Sequence, residues 1–137
     1  MVNSDYINHN SQREWFKSIN SKNLRYYIYS YGLQDIGAVN LSSINIKNKT
    51  FECGIYCGDK SFLSHWINIW ACIEVYDLAF FKLKLNTSYA IILKNNSAAL
   101  SLNKSLGYVK LKEKDNVSDL FKLTKEAYNN YSKKIKI

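Results

Sequence analysis

Between Lys49 and Cys57 the chain reads "KTFECGIYC", with Phe51, Cys53, Ile55 and Cys57 alternating against Glu52, Gly54 and Tyr56. A period of two with one apolar side is the mark of a strand that buries one face. Arg25 to Tyr31, "RYYIYSY", and Ile36 to Ile44 are also rich in aromatic and β-branched residues, and Gly32-Leu33-Gln34-Asp35 and Asn45 to Asn48 supply the turns between them. These three segments predict an antiparallel meander. Thr87 to Leu93, "TSYAIIL", is nearly all apolar, as in a strand covered on both faces. Tyr108 to Lys112 and Asp119 to Thr124 predict two closing strands.

Helical spacing takes over elsewhere. Ser64 to Lys82 places Trp66, Ile69, Trp70, Ile73, Tyr76, Phe80 and Phe81 on one broad apolar face, with Ser64 as the expected cap. Ser97 to Leu106 turns Ala98, Ala99, Leu102 and Leu106 inward and stops at Gly107, the usual residue for a left-handed helix end. Near the start, Trp15, Phe16 and Ile19 predict a short amphipathic helix from Ser11, capped by Asn10 or Ser11. From about residue 126 a polar, basic tail is expected. The order α-β-β-β-α-β-α-β-β predicts an α/β sandwich on a mostly antiparallel sheet.

A chain of 137 residues, 47% of them hydrophobic, holds one core, so residues 1–137 read as a single domain. No run of eighteen apolar residues and no signal peptide is visible, so no membrane partner and a cytoplasmic address are expected. Cys53, Cys57 and Cys72 make an odd number, which suits reduced thiols. Cys53 and Cys57 share a strand face, but nothing nearby completes a metal-ligand set, so no metal is expected. The net charge of +8 raises the question of nucleic acid. Apart from Lys133, Lys134 and Lys136, however, the lysines are thinly spread, and 16 asparagines with no proline point to an AT-rich coding sequence instead. The aromatic residues follow a core pattern and not an exposed stacking array, so nucleic acid is not the expected partner.

The candidate chemistry lies at "GDKSFLSHWIN", Gly58 to Asn68, where a strand gives way to the long helix. Such a junction offers free backbone N–H groups and the positive end of a helix dipole, a ready seat for a phosphate. Glycines usually line it. Here Trp66 and Asn68 stand in the way.

Asn95 to Tyr108, "NNSAALSLNKSLGY", follows a strand and runs Asn96, Ala99, Leu102, then Gly107-Tyr108. It resembles the motif N-x-x-A-x-x-L-Y-x-x-x-G-F of the GNAT superfamily of N-acetyltransferases. The segments "SQREWF", "DIGAVNLSSINIKNKTFECGIYCGDK" and "DLAFFKLKLN" are similar to three further GNAT segments, so the resemblance covers about Ile7 to Thr124. It is closest to the branch of bacterial ribosomal-protein and amino-sugar acetyltransferases.

The resemblance implies a mixed, mostly antiparallel sheet with helices on both faces and a splay between the strands Lys49–Cys57 and Thr87–Leu93. It also implies acetyl-CoA as cofactor, a primary amine on a small acceptor such as an amino sugar nucleotide as the other substrate, and Glu52 as general base. Cofactor-binding positions fall on His65, Trp66, Ile67, Asn68 and Ile69 at the helix start, and on Asn96, Ala99 and Asn103. His65 takes the family's basic position in its pyrophosphate loop, while Trp66 and Asn68 take its two glycine positions. The dipole and free N–H groups, being backbone properties, are expected to survive there, but access is crowded. Asn103 replaces a tyrosine that protonates the departing thiolate in many members, and asparagine has no such proton to give. Tyr56 and Tyr108 are the candidate substitutes. Members also open with a strand and a helix before the position of Ser4. The exposed edge is therefore expected to be covered by other means, a homodimer among them. The alternative reading is a catalytically inactive GNAT-fold binding or partner protein that has lost efficient cofactor binding.

Overall fold

The computed structural model describes residues 24–135. The helix expected from Ser11 lies outside them. Strands β1 (Arg25–Tyr31), β2 (Gln34–Asn45) and β3 (Thr50–Cys57) form the meander. A single 3₁₀ turn (Lys60–Phe62) leads to helix α1 (Ile67–Asp77), which continues as a π-helical turn (Leu78–Lys82). Then come β4 (Thr87–Leu93), α2 (Ser97–Leu106), β5 (Val109–Glu113), β6 (Ser118–Thr124) and α3 (Lys125–Ile135). The six strands make one sheet in the order β1-β2-β3-β4-β6-β5, antiparallel throughout except between β3 and β4.

That exception positions the site. β3 and β4 are paired only at Thr50 with Thr87 and Phe51 with Ser88, and then diverge. The expected splay is present, with its vertex at Phe51 and Ser88. Hydrophobic burial fixes the register on either side of it. Buried Val39 and Leu41 of β2 lie opposite the partly buried Ile55 and Cys53 of β3, and a one-residue slip would turn these side chains to the other face. The Phe51 ring packs edge-on to Phe80 at 5.2 Å and against Tyr76 at 6.0 Å, joining β3 to the long helix.

The long helix differs from its sequence pattern at both ends. Ser64 does not cap it; Trp66 occupies the cap position and makes no side-chain capping bond. Trp66 is 52% exposed, outside the apolar face it was expected to join, and Trp70 and Phe81 are also exposed. The buried set is Ala71, Cys72, Ile73, Val75, Tyr76, Ala79 and Phe80. In the π turn the Leu83 N–H reaches back five residues to the Leu78 carbonyl at 2.9 Å. The extra residue in that turn shifts the helical phase.

The expected polar tail is instead helix α3, described to residue 135. The Thr124 hydroxyl caps it by accepting from the Ala127 N–H at 3.1 Å. Tyr128 is fully buried, its ring 5.2 Å from Phe80 and 5.5 Å from Tyr76. Its hydroxyl donates to the Asp77 carboxylate at 2.7 Å and reaches the Ile73 carbonyl at 3.2 Å. One aromatic anchor thus holds a helix whose other residues are mostly polar. Gly107 permits the close approach of α2 to α3: its φ is +108°, and a Cβ there would meet the Ala127 carbonyl at 3.0 Å. Among the described residues no helix is long and apolar enough to cross a membrane.

Candidate active site

Past Phe51 and Ser88 the facing edges of β3 and β4 carry no backbone bonds to each other. The gap opens a cleft of about 560 Å³ that reaches through the sheet. Glu52, Asn40, Ser42 and Tyr89 line it, as do Cys53, Cys72 and Tyr76. Asn96, Ala99, Leu102 and Asn103 of α2 and its cap close one wall. Of the residues expected to act, Glu52, Asn96, Ala99 and Asn103 are therefore brought together.

Alternation along β3 sends Glu52 to the side opposite Phe51 and Cys53. Its register partner on β2 is Ser42. Glu52 is partly buried, and its carboxylate forms no ion pair among the described residues, which leaves its lone pairs available. Asn96 is committed to its own helix: its side-chain oxygen accepts from the Ala99 N–H at 3.1 Å. The Asn103 carbonyl accepts from the Tyr108 N–H at 3.0 Å, part of the turn that ends α2 at Gly107.

At the vertex lies a buried chain of hydroxyls. The Tyr76 and Tyr108 oxygens are 2.6 Å apart, and the Tyr108 and Ser88 oxygens 2.7 Å apart. Burial, together with neighbouring Cys53, holds both phenols well above their ordinary range. Burial also pushes the Cys72 thiol up to about 12 and lifts that of Cys53, so neither is poised as a thiolate nucleophile. Of the three hydroxyl residues, Tyr76 is the one that lines the cleft. Sequence periodicity marked Tyr76 only as part of an apolar helix face. The contact of its hydroxyl with Tyr108 spans 32 residues of sequence.

The start of α1 is a different environment. None of His65, Trp66, Ile67, Asn68 and Ile69 lines the cleft. The expectation of free N–H groups is not met, because each of the first four already has a partner. The His65 imidazole Nδ1 accepts from the Ile67 N–H at 3.1 Å, and the His65 carbonyl from that of Asn68 at 3.2 Å. The Trp66 carbonyl accepts from Ile69 at 3.1 Å and from Trp70 at 3.2 Å. The Asn68 side chain folds back to donate to the Phe62 and Leu63 carbonyls at 2.7 and 3.2 Å and to accept from the Tyr29 hydroxyl at 2.7 Å. Trp66 packs beside Tyr31 and His65, with ring centroids 6.0 and 5.1 Å away.

A second cleft of about 540 Å³ lies between β1 and α1, lined mainly by Tyr27, Tyr29, Val39, Val75, Leu78 and Phe81. It contains none of the residues expected to act. Its walls are mostly apolar, and its acids Glu74 and Asp77 lie on the helix.

No family model matches the sequence, and no curated protein does either. Solved structures do match. A mutant form of the spermidine N-acetyltransferase SpeG from Vibrio cholerae superposes with a TM-score of 0.72 at 20% identity, covering 93% of this chain and 81% of its own. The Campylobacter jejuni N-acetyltransferase PseH, in complex with acetyl coenzyme A, gives 0.68 at 24% identity, over 85% and 78% of the two chains. The chain has the fold of the GNAT acetyltransferases. FdhC, described as a nucleotide-linked sugar GNAT, gives 0.75 at 21% identity over 98% of this chain and 78% of its own. Within the GNAT fold observed here, the parallel pair of strands that parts into a V coincides with the cleft carrying Glu52 and Tyr76.

Proposed function

We propose that this protein is an N-acetyltransferase that binds acetyl-CoA in the splay between β3 and β4 and acetylates the primary amine of a small acceptor such as an amino sugar nucleotide. The observation that carries the reading is the splay itself. Two strand edges with unpaired N–H and C=O groups form a slot for an extended chain bearing amides, because a third strand-like segment can bond to both. Acetyl-CoA supplies an activated acetyl thioester on such an amide-bearing arm. The β3 backbone from Glu52 to Ile55 and the β4 backbone from Tyr89 to Ile92 would hold that arm. Asn96, Ala99 and Asn103 would flank it.

Glu52, which forms no ion pair among the described residues, is the general base that takes the amine's proton, directly or through one water. At the start of α1 the His65 imidazole must leave the Ile67 N–H before a pyrophosphate can use it. Trp66, Asn68 and Ile69 frame that seat. Among the described residues, a polycationic acceptor would meet a single carboxylate in this cleft, Glu52. An amino sugar nucleotide carries one amine and anionic phosphates, which suit a chain of net charge +8. We assign the activity to the cytoplasm, where acetyl-CoA is available. We also propose a homodimer that covers the β1 edge, supported by the exposed Tyr31, Leu33, Leu63 and Trp66 nearby; a strictly monomeric sedimentation profile at micromolar concentration would contradict it.

One observation favours the second reading, an inactive GNAT-fold binding protein: the paired N–H groups at the start of α1 leave no ready anion seat. Calorimetric titration of acetyl-CoA and CoA into the protein separates the two. Binding at micromolar concentrations supports the enzyme, and no heat at millimolar ligand supports the inactive protein.

A further inference from the structure

On the reading that the splay cleft takes acetyl-CoA, we propose that Tyr76, from the middle of the long helix, is the group that protonates the leaving sulfur, and that Tyr108 and Ser88 set its hydroxyl for the task. The three oxygens form one chain, 2.6 and 2.7 Å between neighbours, and it begins at Ser88. Ser88 pairs with Phe51 in the last rung before the strands part, so the chain sits at the vertex of the V. A hydroxyl has one proton to donate. When Ser88 donates to Tyr108 and Tyr108 donates to Tyr76, the Tyr76 proton is left for the Cys53 sulfur, which bonds it and also lines the cleft, and a substrate sulfur arriving there would take that place. Tyr76 alone of the three lines the cleft. Asn103, on the cleft wall, cannot supply this proton.

The step balances. As the amine nitrogen bonds to the carbonyl carbon and the C–S bond breaks, the bond's electron pair passes to sulfur and Tyr76 gives its Oη proton to it. Glu52 has taken one proton from the amine, and that proton returns through water in the cleft to the Tyr76 oxygen. Nitrogen loses one proton and sulfur gains one, with no oxidant or metal. The burial that keeps Tyr76 protonated also favours the protonated form of a sulfur beside it. Tyr108 is a positioning residue, since it does not line the cleft.

The test uses the intact protein with CoA as the probe, following ionisation of the bound thiol by ultraviolet absorbance. Tyr76→Phe keeps the ring packing on Phe80 and removes only the donor. Its bound CoA thiol should titrate about one unit higher than in wild type, because a hydrogen bond to the thiolate is lost. Tyr108→Phe should give a smaller shift in the same direction. With hydroxylamine as acceptor, an amine already neutral at pH 7 that needs no base, acetyl transfer should fall about a hundredfold in Tyr76→Phe with KM for acetyl-CoA unchanged. If wild type binds CoA and Tyr76→Phe shows the same thiol titration and the same rate, the proposal is overturned while the acetyltransferase reading stands. If wild type fails to bind CoA at all, both fall together.

Discussion

The vertex of the splay, packed on Tyr76 and Phe80 of the long helix, and the start of that same helix treat hydrogen bonds in opposite ways. At the splay, the strand edges carry no backbone bonds to each other, and the side chains at its vertex form a buried chain of hydroxyls. At the helix start, where a GNAT-like reading of the sequence expects an open anion seat, the four leading N–H groups are closed by His65 and Trp66. On the proposed reading, the slot for an amide-bearing arm is preformed. The phosphate seat, outside the cleft at the helix start, must be opened. Backbone N–H groups at a helix start are thus not automatically a ligand site, because a side chain two residues away can cap them as a ligand would.

The strongest way to break this comparison is to remove what braces the helix behind the cleft. Tyr128→Ala deletes a fully buried ring packed on Tyr76 and Phe80 and removes its hydroxyl's bond to Asp77. Chemical denaturation should show a loss of about 3–5 kcal/mol, the usual scale for truncating a buried aromatic residue. A loss below about 1 kcal/mol, no more than an exposed site gives, would show that α3 is not a structural part of this wall.

The next variant acts on the splay alone. Glu52→Gln keeps the shape of the side chain and should lower acetyl transfer to an amine by about a hundredfold or more, with acetyl-CoA affinity preserved. An unchanged rate would remove Glu52 from the mechanism. The smallest effect belongs to the helix start. His65→Ala frees the Ile67 N–H and should raise acetyl-CoA affinity by roughly fivefold in calorimetry, since a capping bond of about 1 kcal/mol no longer competes with the ligand. Trp66→Gly with Asn68→Gly is the less direct probe, because it also removes the bonds from Asn68 to Tyr29, Phe62 and Leu63. A weaker affinity in His65→Ala would mean that the imidazole itself contributes to binding.

These differences also mark what the sequence could reveal. The strands Arg25–Tyr31 and Thr87–Leu93 and the helix Ser97–Leu106 are legible to the residue, because period, turn residues and the closing Gly107 agree. The splay was legible only through resemblance, since no local pattern says that two strands part after Phe51 and Ser88. Helix α3 was missed because its described side chains, "KEAYNNYSK", bury little beyond Tyr128 and Ser132, too few positions to show a period. Ser64 and Trp66 were misread for a different reason. The apolar stripe continues upstream of the helix, but there Trp66 joins an exposed aromatic group with Tyr31 and His65 and not the core. Within the site, Glu52 and Asn96 were visible as candidates only through the same resemblance. Tyr76 was hidden, because its proposed role rests on tertiary contact with Tyr108.

Backbone amide NMR during an acetyl-CoA titration tests the central claim most directly, for it reports both clefts and the helix start at once. The amides of Glu52, Cys53 and Gly54 and of Tyr89 and Ala90 should shift first, with Ile67 following as His65 gives up its N–H. Shifts confined to Tyr27, Val39 and Leu78 would place the ligand in the apolar cleft between β1 and α1, and no shifts at saturating ligand would mean that the splay holds no acetyl-CoA; either result contradicts the account.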